Sequence, residues 1–336
     1  MQRTATPLTS VRFRSQPPFT MRILITGCAG FIGFHLTKSL VSDGHEVTGI
    51  DNLNNYYSIN LKKYRLSLLG KERFEFIKLD LVDLPKIKKK FDLVINLAAQ
   101  AGVRVPEKLQ INYKRYNIDG FKSVINFCLR NNVKKIIYAS SSSVYDDSSI
   151  PFCEDNTALA PKSKYGATKL FNEKLSEQTA LDNPDISILG LRFFTVYGPY
   201  GRPDMAYYSF TESLLKKRQI FLHNNPNMAR DMTYIDDIID GLKSSIEYIY
   251  NSPLNIKNEI FNLGNNDPVL TSHLLNTIQE KLNIRGEIKE IVGLNESLVT
   301  NASLEKSKKI LGYNPKVSFK DGIERFIEWY LSYEKR

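Results

Sequence analysis

Arg22-Ile-Leu-Ile-Thr26 runs directly into Gly27-Cys-Ala-Gly30-Phe-Ile-Gly33. Phe31 to Val41 then carries apolar residues at helical spacing, and Glu46-Val-Thr-Gly-Ile-Asp51 returns to a strand pattern closed by an acid. Strand, glycine turn, helix and a second strand ending in a carboxylate form the unit that binds a dinucleotide. Gly27 permits the tight turn, Gly30 lets the backbone approach a pyrophosphate, and Gly33 lets helix and strand pack closely. The spacing is Gly-x-x-Gly-x-x-Gly, and a lone glycine cluster could be a structural turn. The strand, helix and terminal acid in register decide for cofactor binding. Asp51 is placed to accept hydrogen bonds from ribose hydroxyls, which favours NAD over its 2′-phosphorylated form.

The alternation continues outward from this unit. Phe74 to Leu79 reads as a strand ending at Asp80, and Phe91 to Leu97 as another leading into Ala98-Ala-Gln-Ala-Gly-Val-Arg104. A helix is expected over Asn112–Arg130, and Lys134–Ala139 is a buried strand delivering the four serines Ser140 to Ser143. A helix runs from Tyr165 to about Ala180, and Ile186–Arg192 is read as the last core strand. The pattern predicts an α/β fold, a Rossmann-type doubly wound parallel sheet. Because ligands of such sheets sit at the carboxyl ends of strands, Gly27–Gly33, Asp51, Ala98 and the serines should face one crevice.

From Phe193 the segments become shorter and more mixed. Helices are expected at Ala206–Lys217, Ile235–Tyr250, Thr271–Leu282 and Asp321–Tyr333, with a short strand at Glu259–Leu263 and with Thr271 and Asp321 as N-caps. The reading divides the chain into an NAD-binding part, residues 21–192, and a smaller mixed α/β substrate lobe, residues 193–336, interleaved with the first. Arg192, Arg202, Arg218 and Arg230 lie in or beside the loops of that lobe. Such charges are usually solvated, yet four arginines around a cofactor crevice suit an anionic substrate such as a diphosphate.

Composition narrows the class. Hydrophobic content of 42% and charged content of 24% are ordinary for a globular protein, and no apolar run approaches a membrane span. Cys28, Cys128 and Cys153 are odd in number and at no metal-like spacing, which points to a reducing, cytoplasmic compartment with neither disulfides nor a metal site. The net charge of +10 could speak for nucleic acid, but the basic residues are scattered among acids. The run Lys86-Ile-Lys-Lys-Lys90 reads as the solvated end of a helix, so neither a nucleic-acid nor a membrane partner is expected. Residues 1–20 hold Arg3, Arg12 and Arg14 but no acid. They read as a disordered leader ahead of Met21, an upstream in-frame start in preference to a transit peptide.

The stretch from Ser140 to Lys169 carries the chemistry. In Tyr165-Gly-Ala-Thr-Lys169 the phenol and the ammonium are i and i+4 on one helical face. A phenol beside an ammonium should have a lowered pKa and serve as a general base near neutral pH. A serine from the preceding strand end would hold the substrate oxygen that loses its proton. By itself Tyr-x-x-x-Lys is more often a solvated surface pair; the dinucleotide unit gives it weight.

Together these pieces resemble the extended short-chain dehydrogenase/reductases that act on nucleotide sugars, and within them the UDP-glucuronate 4-epimerases. The resemblance rests on Thr26–Gly33, Asp51-Asn-Leu-Asn-Asn-Tyr-Tyr57, Leu97–Arg104, Leu191-Arg-Phe-Phe-Thr-Val-Tyr-Gly-Pro199, Gly201-Arg-Pro-Asp-Met205 and Arg230-Asp-Met-Thr-Tyr-Ile-Asp-Asp237. It implies NAD contacts from Gly27, Gly30, Phe31, Ile32, Gly33, Asp51, Asn52, Asp80, Leu81, Ala98, Ala99, Tyr165 and Lys169. It implies Tyr165 as base, with Ser141 and Lys169 completing the catalytic set. Ser142, Thr195 and Arg202 would hold the sugar carboxylate, Arg230 the diphosphate, and Ser143 and Arg104 would also line the UDP-sugar site. A homodimer formed through Asn112–Arg130 and Tyr165–Ala180 is the family expectation. Relatives acting on neutral sugars mostly carry Asn in place of Thr195, and 4,6-dehydratases carry an Asp-Glu pair in place of Ser142-Ser143. The chain departs from the family at Asp146, at Val105 and beyond, and over Asn295–Ala302.

Three readings follow. The first is inversion at C4 of UDP-glucuronate through a 4-keto intermediate. The second is a UDP-glucuronate decarboxylase or an epimerase of another, N-acetylated, UDP-sugar. The third is a non-enzymatic nucleotide-binding scaffold, against which both Tyr165 and Lys169 are retained.

Overall fold

The structure, a computed structural model, describes residues 20–103, 109–146, 150–223, 225–251, 257–291 and 297–335. Of the leader, only Thr20 lies among them.

Seven parallel strands make the main sheet: β1 (Arg22–Thr26), β2 (Glu46–Asp51), β3 (Phe74–Lys78), β4 (Leu93–Asn96), β5 (Lys135–Ser141), β6 (Ser187–Phe193) and β10 (Asn258–Leu263). Their spatial order is β3-β2-β1-β4-β5-β6-β10, the doubly wound order extended by one strand. Strand periodicity splits the core in two. Ile23, Ile25, Leu93, Ile95, Ile137, Leu189 and Leu191 point into one layer, with α1 (Phe31–Ser42) and α6 (Ile235–Asn251). Leu24, Val94, Ile136, Tyr138 and Ile188 point into the other, with α3 (Gly120–Arg130). Burial on both faces is why these strands read as apolar runs.

The expected strand at Glu259–Leu263 exists and belongs to the main sheet. As β10 it hydrogen-bonds β6 from Asn258↔Ile188 to Leu263↔Phe193, so Ile186–Arg192 is not the last core strand. Short range hides this in the sequence, because sixty-odd residues lie between the paired strands. The strands β7 (Thr195–Tyr197), β9 (Ala229–Tyr234) and β11 (Pro268–Leu270) form a second sheet, and β8 (Ile220–His223) pairs with β12 (Ile288–Ile291). Three to six residues each, they are too short to show periodicity.

The helices α5 (Ala206–Leu215), α7 (Thr271–Leu282) and α9 (Phe319–Glu334) stand close to where periodicity placed them. Neither expected N-cap is one. Leu270 precedes α7, and Thr271 spends its hydroxyl on the Met228 carbonyl at 3.1 Å. Ser318 caps α9 by accepting from the Asp321 backbone N–H at 3.2 Å, which leaves Asp321 inside the first turn as a favourable charge. Two helices went unread, α2 (Ile59–Ser67) and α8 (Glu305–Leu311).

The helix expected over Asn112–Arg130 is not uniform. Tyr113–Asp119 winds as a wide π-type turn before α3 begins. There the Asn117 amide donates to the Gln100 carbonyl at 3.1 Å and to the Thr168 hydroxyl at 3.0 Å, and its oxygen accepts from the Gln100 N–H at 2.8 Å. One buried side chain thus ties the loop after β4 to α4 (Lys164–Asp182), the helix carrying Tyr165. The basic run at 86–90 follows a short 3₁₀ turn, not an α-helix, and Lys86 and Lys89 pair with Asp83 and Glu75. Among the described residues no helix is long and apolar enough to cross a membrane.

Candidate active site

The carboxyl ends of β1, β2, β4, β5 and β6 open onto one cleft of about 310 Å³. Its first wall is the glycine turn. Gly27 has φ +72°, and a Cβ on Gly33 would fall 2.1 Å from the Gly27 carbonyl oxygen, so only hydrogen fits there. Gly30 caps α1 with extended backbone and offers no side chain, leaving the first N–H groups of the helix facing the cleft. Asp51 sits at the end of β2 and accepts from the Leu53 N–H at 2.8 Å. Burial pushes its carboxyl above the ordinary value, against the opposing pull of Lys62. Glycine turn, helix start and terminal acid fit a dinucleotide.

Phe31, Ile32, Asn52, Leu81, Ala98 and Ala99 line the same cleft. Asp80 does not. It caps the 3₁₀ turn through the Val82 N–H at 3.3 Å and pairs with Arg115 at 3.3 Å.

The second wall is the serine segment and α4. Ser141 ends β5, accepts from the Ser143 N–H at 3.1 Å, and its hydroxyl acts on the Tyr165 phenol. Gly166 sits where α4 crosses this segment: a Cβ there would lie 2.1 Å from the Ser143 carbonyl oxygen. The residue after the tyrosine is therefore glycine for closeness, and Tyr165, Ser141, Ser142 and Ser143 all reach the cleft. Lys169 is 1% exposed, donates to the Ala139 carbonyl at 2.7 Å, and lies 5.7 Å from the Tyr165 ring centre.

The expected lowering of the Tyr165 pKa is not what the protein itself produces. Burial dominates and raises it, with Arg202 and the Ser141 hydroxyl pulling the other way. Burial likewise lowers Lys169 to about 8, partly offset by Glu173. Between about 8 and its ordinary 10.5 the unfolded chain holds a proton that the folded chain has released. The stability attributable to this group therefore rises with pH across that window. In denaturant titrations at about pH 8 and pH 10, wild type should gain on Lys169→Met; a gap that stays flat with pH would refute the perturbed amine.

Of the four arginines expected around the crevice, only Arg202 lines it. Arg192 is 3% exposed beneath it, held by Glu173 through Nε at 2.9 Å and Nη2 at 2.8 Å. Arg218 pairs with Glu212 at 4.0 Å, and Arg230 donates to the Ala229 and Leu298 carbonyls at 2.9 and 3.2 Å. Position near a loop says nothing of which way a side chain turns. Thr195, at the start of β7, does line the cleft; Arg104 lies outside the described residues. Residues not singled out from the sequence also line it, notably Tyr56, Lys62, Gln100 and Met205. Lys62 lies on the unread α2 and donates to Asn54 at 2.8 and 2.9 Å. Ser58, which caps that helix, was its one sequence signal.

Residues 23–264 match the family described as NAD dependent epimerase/dehydratase. The chain belongs to that family. An uncharacterized protein of Methanocaldococcus jannaschii is 42% identical over 320 residues, 92% of this chain and 96% of that one. UDP-glucuronate 4-epimerase 4 of Arabidopsis thaliana is 36% identical over 346 residues, covering 96% of this chain and 78% of that one. Among solved structures, UDP-glucuronic acid 4-epimerase from Bacillus cereus in complex with UDP-glucuronic acid and NAD superposes with a TM-score of 0.86. It is 32% identical and covers 93% of this chain and 100% of that one. The chain is an NAD-dependent nucleotide-sugar 4-epimerase, and NAD is its cofactor.

Proposed function

We propose that the sugar inverted at C4 is UDP-glucuronate, giving UDP-galacturonate. The observation that carries this is the lining of the cleft, to which Arg202, the one lining arginine among the described residues, contributes together with the hydroxyls of Thr195, Ser142 and Ser143. A cleft lined by a guanidinium and three hydroxyls suits a carboxylate better than a neutral hydroxymethyl group. The glucuronate epimerases among its relatives support the same reading.

In this reading Tyr165 accepts the proton of the 4-hydroxyl and Ser141 hydrogen-bonds that oxygen. Bound NAD supplies the reversible hydride acceptor at C4. Lys169 supports the phenolate through its charge and remains fixed to the Ala139 carbonyl. The planar 4-keto sugar turns over, and Tyr165 returns the proton after reduction from the other face. A 4-keto uronate is a β-keto acid that loses carbon dioxide when its carboxylate bond aligns with the carbonyl π system. Arg202, Thr195 and Ser142 therefore protect the product by fixing the carboxylate out of alignment. Contacts to NAD come from Gly27, Gly30, Gly33, Asp51 and Ala98, and Arg230 is assigned to the diphosphate. The protein acts as a homodimer in the cytoplasm.

The test is proton NMR of the protein with UDP-glucuronate and NAD. UDP-galacturonate should grow to a plateau without accumulating NADH, and Arg202→Gln should lower kcat/KM by about 10- to 100-fold, the worth of a charge-assisted hydrogen bond. UDP-xylose as product, or unimpaired turnover by the variant, would sink the reading.

A further inference from the structure

Arg202 is already holding a carboxylate. Its Nε donates to Asp204 Oδ1 at 3.0 Å and its Nη2 to Oδ2 at 2.5 Å, a two-point fork. Asp204 Oδ2 also accepts the Tyr56 hydroxyl at 3.0 Å. Gly102, with φ +100°, backs onto the same point: a Cβ there would lie 2.9 Å from Tyr56 Oη, 3.5 Å from Arg202 Nη2 and 3.6 Å from Asp204 Oδ2. Its carbonyl in turn accepts the Tyr113 hydroxyl at 2.6 Å. Loops following β2, β4 and β7 thus meet at one carboxylate, beside the cleft that Tyr56, Gly102 and Arg202 line.

A guanidinium edge of Nε and one Nη satisfies a single planar carboxylate. While Asp204 occupies it, the Arg202–Asp204 pair is close to neutral and its best edge is spent. A neutral sugar is indifferent to this; a sugar carboxylate is not. We propose that Asp204 is a specificity-determining residue that competes with the substrate carboxylate for Arg202, so that a uronate binds by displacing one carboxylate with another. Tyr56 strengthens the competitor, because its hydroxyl holds Asp204 in place. Asp204 has the freedom to leave: its side chain is 31% exposed, whereas that of Arg202 is 20% exposed. Burial alone would raise the Asp204 carboxyl, but the Arg202 charge and the hydrogen bonds from Arg202 and Tyr56 outweigh it, so the competitor stays ionised. The inference rests on the uronate reading and says what limits its affinity.

Calorimetric titration of the NAD-loaded protein with UDP-glucuronate and with UDP-glucose tests both. Asp204→Asn keeps the size and one acceptor oxygen but removes the competing charge. It should tighten UDP-glucuronate binding by about tenfold and leave UDP-glucose within about twofold. Tyr56→Phe, which frees Asp204 without touching its charge, should tighten the uronate by a smaller factor, about two- to threefold. A wild type that prefers the uronate while Asp204→Asn binds it no tighter, or more weakly, overturns the inference alone and makes Asp204 an orienter of Arg202. Equal binding of the two sugars by wild type and by Asp204→Asn alike overturns the uronate reading and the inference together.

Discussion

Tyr165→Phe is expected to lower kcat by about 10³-fold or more while leaving NAD in place, since a positioned general base contributes about 10²- to 10⁴-fold. The ring stays and only the hydroxyl goes. Ser141 and Lys169, fixed by Ser143 N–H and the Ala139 carbonyl, have no reason to move. Two nearby tyrosines are otherwise engaged: Tyr56 donates to Asp204, and Tyr113, its ring centre 6.3 Å from that of Tyr165, donates to the Gly102 carbonyl. Burial pushes both of those phenols above their ordinary values as well, Tyr113 to about 12. Turnover followed by NMR and NAD retention followed by gel filtration are read together. Wild-type turnover in this variant would remove Tyr165 as the base.

The second large effect is on stability. Glu173 is 6% exposed and accepts from Arg192 at two points and from Ser140 Oγ at 2.5 Å. Arg192 also donates to the Tyr145 hydroxyl at 2.7 Å, and that hydroxyl donates to Asn262 at 2.8 Å. Glu173→Ala would strand a guanidinium that is 3% exposed and is expected to cost about 3–5 kcal/mol. The double variant Glu173→Leu/Arg192→Met should lose less than the single one, because it removes both charges and leaves none unpaired. Urea titrations of both variants check this. A single variant within about 1 kcal/mol of wild type would show that water reaches Arg192.

The same cluster shows what sequence could and could not convey. Glu173 is i+4 from Lys169 on α4, so its place behind the lysine follows from helical spacing alone. Its partner Arg192 lies on β6 and turns beneath the crevice, which only the packed sheet determines. The glycine turn, Asp51, the serines and Tyr165 were legible because each depends on local geometry: a positive φ, a strand end, one face of a helix. Where the side chains of Asp80, Arg218 and Arg230 turn was not legible for the opposite reason, since they follow tertiary neighbours. The direction of the Tyr165 shift was missed because pair charge was weighed and burial was not. Lys62 was passed over because α2 lacks a clear apolar stripe, and Tyr56 because its role comes from loops brought together by the sheet.

The edge position of β10 bears on how the chain reaches this state. A ribosome releases the glycine turn, both catalytic helix residues and β6 long before Asn258–Leu263 emerges. Until then β6 is an unpaired parallel edge, and Tyr145 lacks its acceptor on Asn262. Nascent chains halted near Phe193 would thus carry every cofactor-facing motif yet present a sticky flank to one another. The stretch of some sixty residues between β6 and β10 thus separates an open parallel edge from the strand that closes it.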